Sequence, residues 1–333
     1  MTMIEYRPEP GEFAWTFGGA APVRNVKPGD VISLWTEDCF AGKVRTERDL
    51  ASQVCEFPFL NPQTGPFYVD GAKPGDTLAV HFVSIEPAAP VGAATTLPFF
   101  GALTSDAYTA TLQDPLPELV WIYELDNAAR TVTYRAKSSD LTLRLPMDPM
   151  HGTVGVAPAS FEARSALVPD SHGGNLDTPE MRAGVTAYFG VNVEGALFSL
   201  GDGHARQGEG EACGTGVEVA MNTVLIVDLI PGVATPWPRL ESDTHLMSIG
   251  AARPLENAYR VAQVDMIGWL SELYGIDRMD AYQIVAQAAL TPVAQVCNPI
   301  YTVTSKIAKS LLPNASAYRG SHARLREQAR TAT

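Results

Sequence analysis

The sequence predicts an α+β fold that is predominantly β, with sandwich-like or barrel-like β domains and a C-terminal helical segment. Up to about residue 240, glycine and proline interrupt the chain every ten residues or so and separate short segments rich in β-forming residues. Regularly spaced short strands with turn residues between them are typical of β sandwiches and barrels. After residue 240, apolar residues recur with helical spacing instead, which indicates helices added to the β body.

Individual elements follow from the same patterns. A short surface helix is predicted over residues 47–55, and a long irregular excursion over 86–118. A strand, a loop and a second strand are predicted from the alternating segment 191–200 and the apolar segment 217–230. The other predicted strands are 31–36, 77–85, 119–124, 131–135 and 141–145.

The C-terminal part predicts two helices. The first covers 255–274 and ends at Gly275, which suits a helix C-cap. The second covers 279–289, with Asp277 as its N-cap. A strand pair interrupted at Pro299 follows over 293–303. We therefore divide the chain into a β-rich body (1–240) that carries the site loops, a C-terminal α+β segment (241–313) packed on that body, and a flexible tail (314–333).

Composition restricts the function. The 333 residues carry 24 basic and 37 acidic side chains, a formal net charge of −13, which disfavours nucleic acid and anionic membranes as partners and is compatible with a small neutral substrate. The four cysteines are widely spaced, which predicts reduced thiols in a cytoplasmic protein. Neither a signal peptide nor an apolar run of about 18 residues is recognisable. No glycine fingerprint of a dinucleotide fold opens a helix.

One stretch concentrates chemically active side chains. Residues 201–218 (GDGHARQGEGEACGTGVE) contain four carboxylates, one histidine, one cysteine and six glycines. Glycine lets the backbone approach a ligand closely, at a cost in conformational entropy. If the upstream strand continues, Asp202 and His204 project from the same face, because strand side chains repeat with a period of two. A carboxylate beside an imidazole is a reasonable pair of ligands for Zn²⁺.

A second cluster lies at residues 172–177 (HGGNLD). Alone, its Gly-Gly-Asn sequence is ordinary turn chemistry. Because Asp202 and His204 follow one strand later, Asn175 and Asp177 are predicted to share a metal or substrate site with them.

The segments 173–178 and 201–215 resemble the acetamidase/formamidase family, whose members hydrolyse short amides to carboxylate and ammonia and in some cases open lactams. Further stretches agree, namely 36–42, 69–76 and 152–158. The resemblance extends from about residue 25 to 220, with a plausible continuation to about 312. It implies the same β-rich fold, a small neutral amide substrate and a homodimer or larger homo-oligomer. It also suggests Asp38, in the first of these stretches, as a further carboxylate of the site.

Amide hydrolysis needs an activated water, a polarised carbonyl and a proton for the leaving nitrogen. We expect a divalent metal ion, with Zn²⁺ favoured over Ca²⁺. Its predicted ligands are His204, Asp202, Asp38 and Asp177. Glu218 or Glu211 would move the proton, and Asn175 would stabilise the oxyanion. Gly174, Cys213 and Gly214 are predicted to bind the substrate.

Two alternatives stay open. Cys213 could act as a nucleophile with a carboxylate base, although the surrounding carboxylates would raise the pKa of its thiol. The protein could also be a non-enzymatic β protein that binds Ca²⁺, an ion that takes six to eight oxygen ligands and for which an imidazole is a poor ligand.

Overall fold

The computed structural model describes residues 3–103 and 114–332. The described residues form 20 strands and four α-helices. The strands are β1 (Met3–Tyr6), β2 (Thr16–Phe17), β3 (Arg24–Val26), β4 (Val31–Thr36), β5 (Gln63–Val69), β6 (Thr77–Pro87), β7 (Val91–Thr96), β8 (Leu119–Asp126), β9 (Thr131–Arg135), β10 (Thr142–Pro146), β11 (Met150–Gly155), β12 (Arg164–Ser165), β13 (Gly173–Asn175), β14 (Thr186–Gly190), β15 (Phe198–His204), β16 (Met221–Ile230), β17 (Arg239–Glu241), β18 (His245–Ala252), β19 (Val293–Gln295) and β20 (Tyr301–Ala308). The helices are α1 (Ala51–Val54), α2 (Leu255–Tyr274), α3 (Arg278–Ala288) and α4 (Ser321–Ala332).

Two sheets form the body. The larger has nine strands in the order β1-β4-β16-β6-β14-β17-β18-β20-β19, and a five-stranded sheet has the order β13-β11-β15-β5-β3. The main core lies between these two sheets: Phe82 and Leu225 of the larger sheet belong to the same buried cluster as Phe67, Val154 and Phe198 of the smaller one. The body is therefore a β sandwich and not a closed barrel, and the predominantly β prediction is confirmed.

Helices cover the other face of the larger sheet. In α2, Met266 and Leu270 pack with Leu246 of β18 and Ile307 of β20, and α3 adds Val285 to the same cluster. The predicted bounds of α2 are confirmed, and Gly275 adopts the left-handed C-cap conformation. Asp277 caps α3 by accepting a hydrogen bond from the Met279 backbone N–H.

The predicted flexible tail differs from the structure. Residues 321–332 form α4, which lies on β6 and buries Leu325 and Ala329 against Ala79 and Ile226. Only a few apolar residues make these contacts. The sequence of the tail is therefore mostly polar, although its helix packs on the sheet. The division at residue 240 stays a prediction; the nine-stranded sheet itself continues across it.

Two predicted local elements differ from the structure. The strand predicted over 191–200 begins only at Phe198, because Ala196 and Leu197 have positive φ and form a turn. The helix predicted over 47–55 is the single turn α1, since the Asp49 carboxylate holds the preceding loop by accepting hydrogen bonds from the Arg45 and Thr46 N–H groups.

The excursion predicted over 86–118 contains β7, which pairs with β8 in an antiparallel ladder; residues 104–113 lie outside the described part. In the helices that the structure describes, no segment is long and apolar enough to cross a membrane.

Candidate metal centre

Strand β15 positions the two residues around which the site forms. It lies between β11 and β5, and it carries Asp202 and His204 to its C-terminal end, where both side chains are buried. His204 Nε2 lies 3.3 Å from Asp202 Oδ1. The expectation that the strand continues through both residues and projects them together is confirmed.

The loop after β15 returns to the same place. Glu218 forms an isolated β-bridge with His204, and its Oε2 lies 3.1 Å from His204 Nε2. The imidazole fits because residue 216 is glycine: a Cβ there would lie 2.6 Å from His204 Cγ and Nδ1. Gly216 is thus required for close packing, as the glycine-rich composition of this loop indicated.

Two groups of potential ligands meet around His204. Asp177, His204 and Glu211 can place one ligand atom each within 4.8 Å of one another, and Cys39, Asp202 and Glu218 form a second such group. We call these the histidine group and the cysteine group. All six side chains are buried. Cys39 reaches Glu218 because β4 pairs with β16, so that the chain just beyond Thr36 runs beside the chain just before Met221.

Neighbouring polar groups hold the histidine group in place. Asn298 donates a hydrogen bond of 2.5 Å to Asp177 Oδ2, and Cys297 donates one of 3.1 Å to Glu211 Oε2. His204 Nδ1 lies 2.8 Å from the side-chain oxygen of Gln207, which leaves Nε2 facing the carboxylates. Because Gln207 Oε1 can only accept, His204 Nδ1 is the protonated nitrogen in this pairing.

The cysteine group is held in the same manner. Asp202 Oδ2 accepts hydrogen bonds of 2.9 Å from Asn61 Nδ2 and from Thr153 Oγ1. Glu218 Oε1 accepts one of 2.8 Å from the Gly216 backbone N–H. One oxygen of each carboxylate is therefore fixed by the chain, as is common for metal-binding carboxylates.

The oxygens on the inner side lack such partners. Asp177 Oδ1 is buried and accepts no hydrogen bond from the described residues, and the close polar neighbour of the buried Glu218 Oε2 is His204 Nε2, at 3.1 Å. A buried carboxylate oxygen without a partner is costly. The carboxylates approach one another because residue 152 is glycine: a Cβ there would collide with Asp177 Oδ1 and lie 2.5 Å from Asp202 Oδ2.

Burial and mutual repulsion change the protonation of the cluster. Burial raises the pKa of Glu211 to about 8, with the Glu218 and Asp202 charges acting in the same direction. The pKa of Asp177 is raised well above its usual range by burial and by Glu211. Burial alone would raise the pKa of Asp202, yet the adjacent His204 lowers the pKa of that carboxyl below its usual value. Burial alone would lower the pKa of His204, but the nearby Glu218 and Asp202 carboxylates raise it well above its usual value.

The backbone is strained at three of the ligand positions. Asp177, Asp202 and Glu211 have φ angles of 43°, 56° and 45°, a region that non-glycine residues occupy at a cost of about 1 kcal/mol or more. Such strain concentrates at functional sites, where the position of a side chain outweighs the local cost.

Asp38, predicted as a metal ligand, belongs to neither group. Its Oδ1 accepts hydrogen bonds of 2.9 Å from the Phe40 and Gly42 N–H groups, so that it closes a loop. It lies near Glu218, and burial together with Glu37 and Glu218 raises its pKa to about 7. Both Asp38 and Glu218 line a cavity of about 360 Å³ whose wall includes Val44, Ala93 and Ile122.

Asn175, predicted to stabilise the oxyanion, lies beside the cysteine group. Its Oδ1 accepts a hydrogen bond of 3.0 Å from Asn61, which also contacts Asp202. It also lies beside the Thr153 hydroxyl, whose single proton is shared between Asn175 and Asp202. Gly174, predicted to bind substrate, packs against the chain itself, because a Cβ there would meet the backbone of Val168 and Pro169.

Cys213 is exposed and lies outside both groups; its thiol lies 3.4 Å from the Thr215 carbonyl oxygen. The adjacent Gly214 packs on the ring of Phe100, which a Cβ there would meet at 2.6 Å.

Five residues around the carboxylates were missed. Cys39 directly follows Asp38 in a stretch that had drawn attention only to the aspartate. Asn61 lies in a proline-containing loop, Cys297 and Asn298 lie in the segment predicted as an interrupted strand pair, and Thr153 lies within the glycine motif at 152–158; none of the four had been singled out as a site residue. The strand order brings them together, and a periodicity argument within one segment could not have found them.

Comparison with known proteins places this chain in a family. The sequence model of the Acetamidase/Formamidase family matches residues 18–162 and 159–313. Curated proteins gave no significant match.

Solved structures agree with this result. The chain is similar to an acetamidase from Yersinia enterocolitica, at 39% identity over 94% of each chain with a TM-score of 0.89. An acetamidase from Bacillus halodurans has 29% identity over 93% of this chain and 98% of its own, with a TM-score of 0.81. A γ-lactamase from Delftia acidovorans, at 18% identity over 92% of this chain and 91% of its own with a TM-score of 0.61, shares the fold. This chain belongs to the acetamidase/formamidase family.

Proposed function

We propose that the protein hydrolyses short amides to carboxylate and ammonia with the help of a divalent metal ion. Family membership supports a hydrolase acting on amides. The observation that carries the metal part is the buried cluster in which one oxygen of each carboxylate is fixed by the chain. Among the described residues, Asp177 Oδ1 has no hydrogen-bond partner and Glu218 Oε2 faces only His204.

The donor set fits an ion. In this proposal Asp177, His204 and Glu211 hold it, with Asp202 beside them. When bound, a divalent ion lowers the pKa of a water ligand to around 7 and acts as a Lewis acid towards the amide carbonyl. An imidazole and the Cys39 sulfur near the carboxylates favour Zn²⁺ over Ca²⁺, which prefers oxygen ligands alone.

The chain supplies proton transfer and orientation. Glu218 and Asp38 border the same cavity, which places them where a substrate can approach the cluster. We assign proton transfer from the attacking water to the leaving nitrogen to this pair. The grouping of Glu211 with Asp177 and His204 favours a ligand role for Glu211 over the proton-transfer role considered above. Asn175, whose side-chain oxygen is engaged, keeps its amide N–H₂ group to orient the substrate carbonyl.

The substrate is proposed to be a small neutral amide such as formamide or acetamide, with lactams as a second class. The cavity of about 360 Å³ exceeds either small amide, and its side walls of valine, alanine and isoleucine suit a short acyl chain. We retain the predicted homodimer or larger assembly and the cytoplasmic location as proposals from sequence. Sedimentation and cell fractionation would test them.

The rival thiol mechanism has less support. Cys213 is exposed and lies apart from both groups. A nucleophilic thiol needs a depressed pKa from neighbouring cations or a helix N-terminus. Cys213 instead contacts the Thr215 carbonyl oxygen.

Ammonia release from formamide, acetamide, propionamide and a γ-lactam separates these mechanisms. We expect His204→Ala to abolish release and Cys213→Ala to leave it within a few-fold of the wild type. Loss of release in Cys213→Ala with retention in His204→Ala would transfer the chemistry to the thiol. Failure of the wild type on every amide would remove the proposed substrate class, and metal retained without turnover would favour the non-enzymatic Ca²⁺-binding alternative.

A further inference from the structure

The four carboxylates of the cluster carry more negative charge than one divalent ion can balance. Asp177, Asp202, Glu211 and Glu218 are at most 6% exposed. Among the described residues, His204 is the only cationic side chain that pairs with any of them. With a neutral imidazole as ligand, the four carboxylates and the Cys39 thiolate together carry five negative charges, so one divalent ion leaves a net charge of −3 in a buried site and two leave −1. Uncompensated buried charge is strongly unfavourable, so the second ion is favoured.

The geometry divides the ligands in the same way. The histidine group and the cysteine group share no residue, and each supplies three ligand atoms of its own. Each group has one buried carboxylate oxygen that no described residue of the surrounding chain fixes by a hydrogen bond: Asp177 Oδ1 in the histidine group, and Glu218 Oε2 in the cysteine group, which faces only His204 Nε2. The groups adjoin, since His204 Nε2 lies 3.3 Å from Asp202 Oδ1 and 3.1 Å from Glu218 Oε2. Centres with two divalent ions commonly hold them about 3.5–4 Å apart.

We propose that the protein holds two divalent ions, one in the histidine group and a second in the cysteine group formed by Cys39, Asp202 and Glu218. This inference rests on the proposed function, although that function does not require the second site. With the second site occupied, Glu218 is a metal ligand and proton transfer is left to Asp38. A thiolate from Cys39 makes the second site selective for a thiophilic ion such as Zn²⁺.

The test measures metal per chain with Zn²⁺ alone as the probe. The full chain is stripped with a chelator, dialysed against Zn²⁺ and analysed by elemental mass spectrometry and isothermal titration calorimetry. We expect two ions per chain. Saturation at one ion per chain overturns the proposal, whatever the amide activity.

Single variants locate each ion. We expect Cys39→Ala and Glu211→Gln to bind one ion each, and the matched controls Cys55→Ala and Glu180→Gln, whose side chains lie outside both groups, to bind two. Two ions in both Cys39→Ala and Glu211→Gln would overturn the assignment. Loading with Co²⁺, which accepts thiolate ligands, gives an independent reading: a thiolate-to-cobalt charge-transfer absorption band in the wild type, and no such band in Cys39→Ala.

Failure of the second site and failure of the proposed function are distinguishable. Amide turnover with one ion per chain keeps the function and removes the second ion. Two ions per chain without turnover of any amide keeps the centre and removes the function.

Discussion

Two buried clusters of charged residues in this molecule are built in opposite ways. Beneath helix α2, Asp265 accepts hydrogen bonds of 2.8 and 2.9 Å from the Arg239 guanidinium and one of 2.6 Å from Ser248. Nearby, Glu241 pairs with Lys309 at 2.6 Å and with the Tyr188 hydroxyl at 2.8 Å. Each carboxylate there has a cation from the chain. At the candidate centre, four carboxylates share one histidine.

The difference separates structural charges from functional ones. A buried carboxylate with an arginine fixes the arrangement of two elements and needs nothing else. A buried set of carboxylates with partners only on its outer side is complete when a cation is bound. We infer that the first cluster maintains the fold and that the second was kept for chemistry, at a cost to the stability of the metal-free chain.

The largest expected effect is on turnover. Asp177→Asn removes a ligand carboxylate from the centre, and we expect kcat/KM for acetamide to fall by about 10³ or more, as is typical when charge stabilisation by a metal site is lost. The metal-free variant should unfold at the same urea concentration as the wild type or a higher one, because burial and Glu211 already disfavour the charged form of Asp177. Marked destabilisation of metal-free Asp177→Asn would make Asp177 a structural charge like Asp265.

The reverse result is expected at the other cluster. Asp265→Asn leaves Arg239 buried without its ion-pair partner and should lower the free energy of unfolding by about 3–5 kcal/mol. The folded fraction should retain kcat within about two-fold. Urea unfolding and ammonia release on one preparation give both values, and a selective loss of kcat would contradict the distinction between the clusters.

Metal removal gives a smaller shift in stability. A ligand present at 100 times its dissociation constant stabilises the folded state by about 2.7 kcal/mol. We expect chelation to lower the unfolding free energy of the wild type by about this amount, and to have a clearly smaller effect in Glu211→Gln. An equal effect of chelation in both proteins would place the bound ion elsewhere.

The smallest effect concerns a third kind of buried group, a neutral imidazole. His172 packs against Phe17, and within the described part of the chain neither of its nitrogens has a hydrogen-bond partner; burial lowers its pKa from 6.5 to about 4. The unfolded chain therefore takes up a proton at higher pH than the folded one. Stability is fully present above pH 6.5 and declines as the pH falls towards 4, by about 2 kcal/mol between pH 7 and pH 5.

Urea unfolding of the chelated protein at pH 7 and pH 5 measures this decline. His172→Phe should reduce it, while His245→Gln, at a half-buried position, serves as the control. An unchanged pH dependence in His172→Phe would show that His172 is not the titrating group.

The sequence predicted local features better than distant ones. The bounds of β4, β9 and α2 were correct because hydrophobic period and capping residues are encoded within each segment. Asp202 and His204 were found for the same reason, since they lie two residues apart on one strand. Cys39 and Asn298 were missed because each reaches the centre through pairing between distant strands. Helix α4 was missed because its packed face is narrow.

The most direct test of the account is metal content and ammonia release measured on the same sample during chelation and reloading with Zn²⁺. The account predicts that acetamide hydrolysis falls with the metal content and returns as Zn²⁺ is bound, while Asp265→Asn protein that remains folded behaves in the same way. Hydrolysis that persists at full rate in protein freed of metal would contradict the claim that the acidic cluster acts by holding an ion.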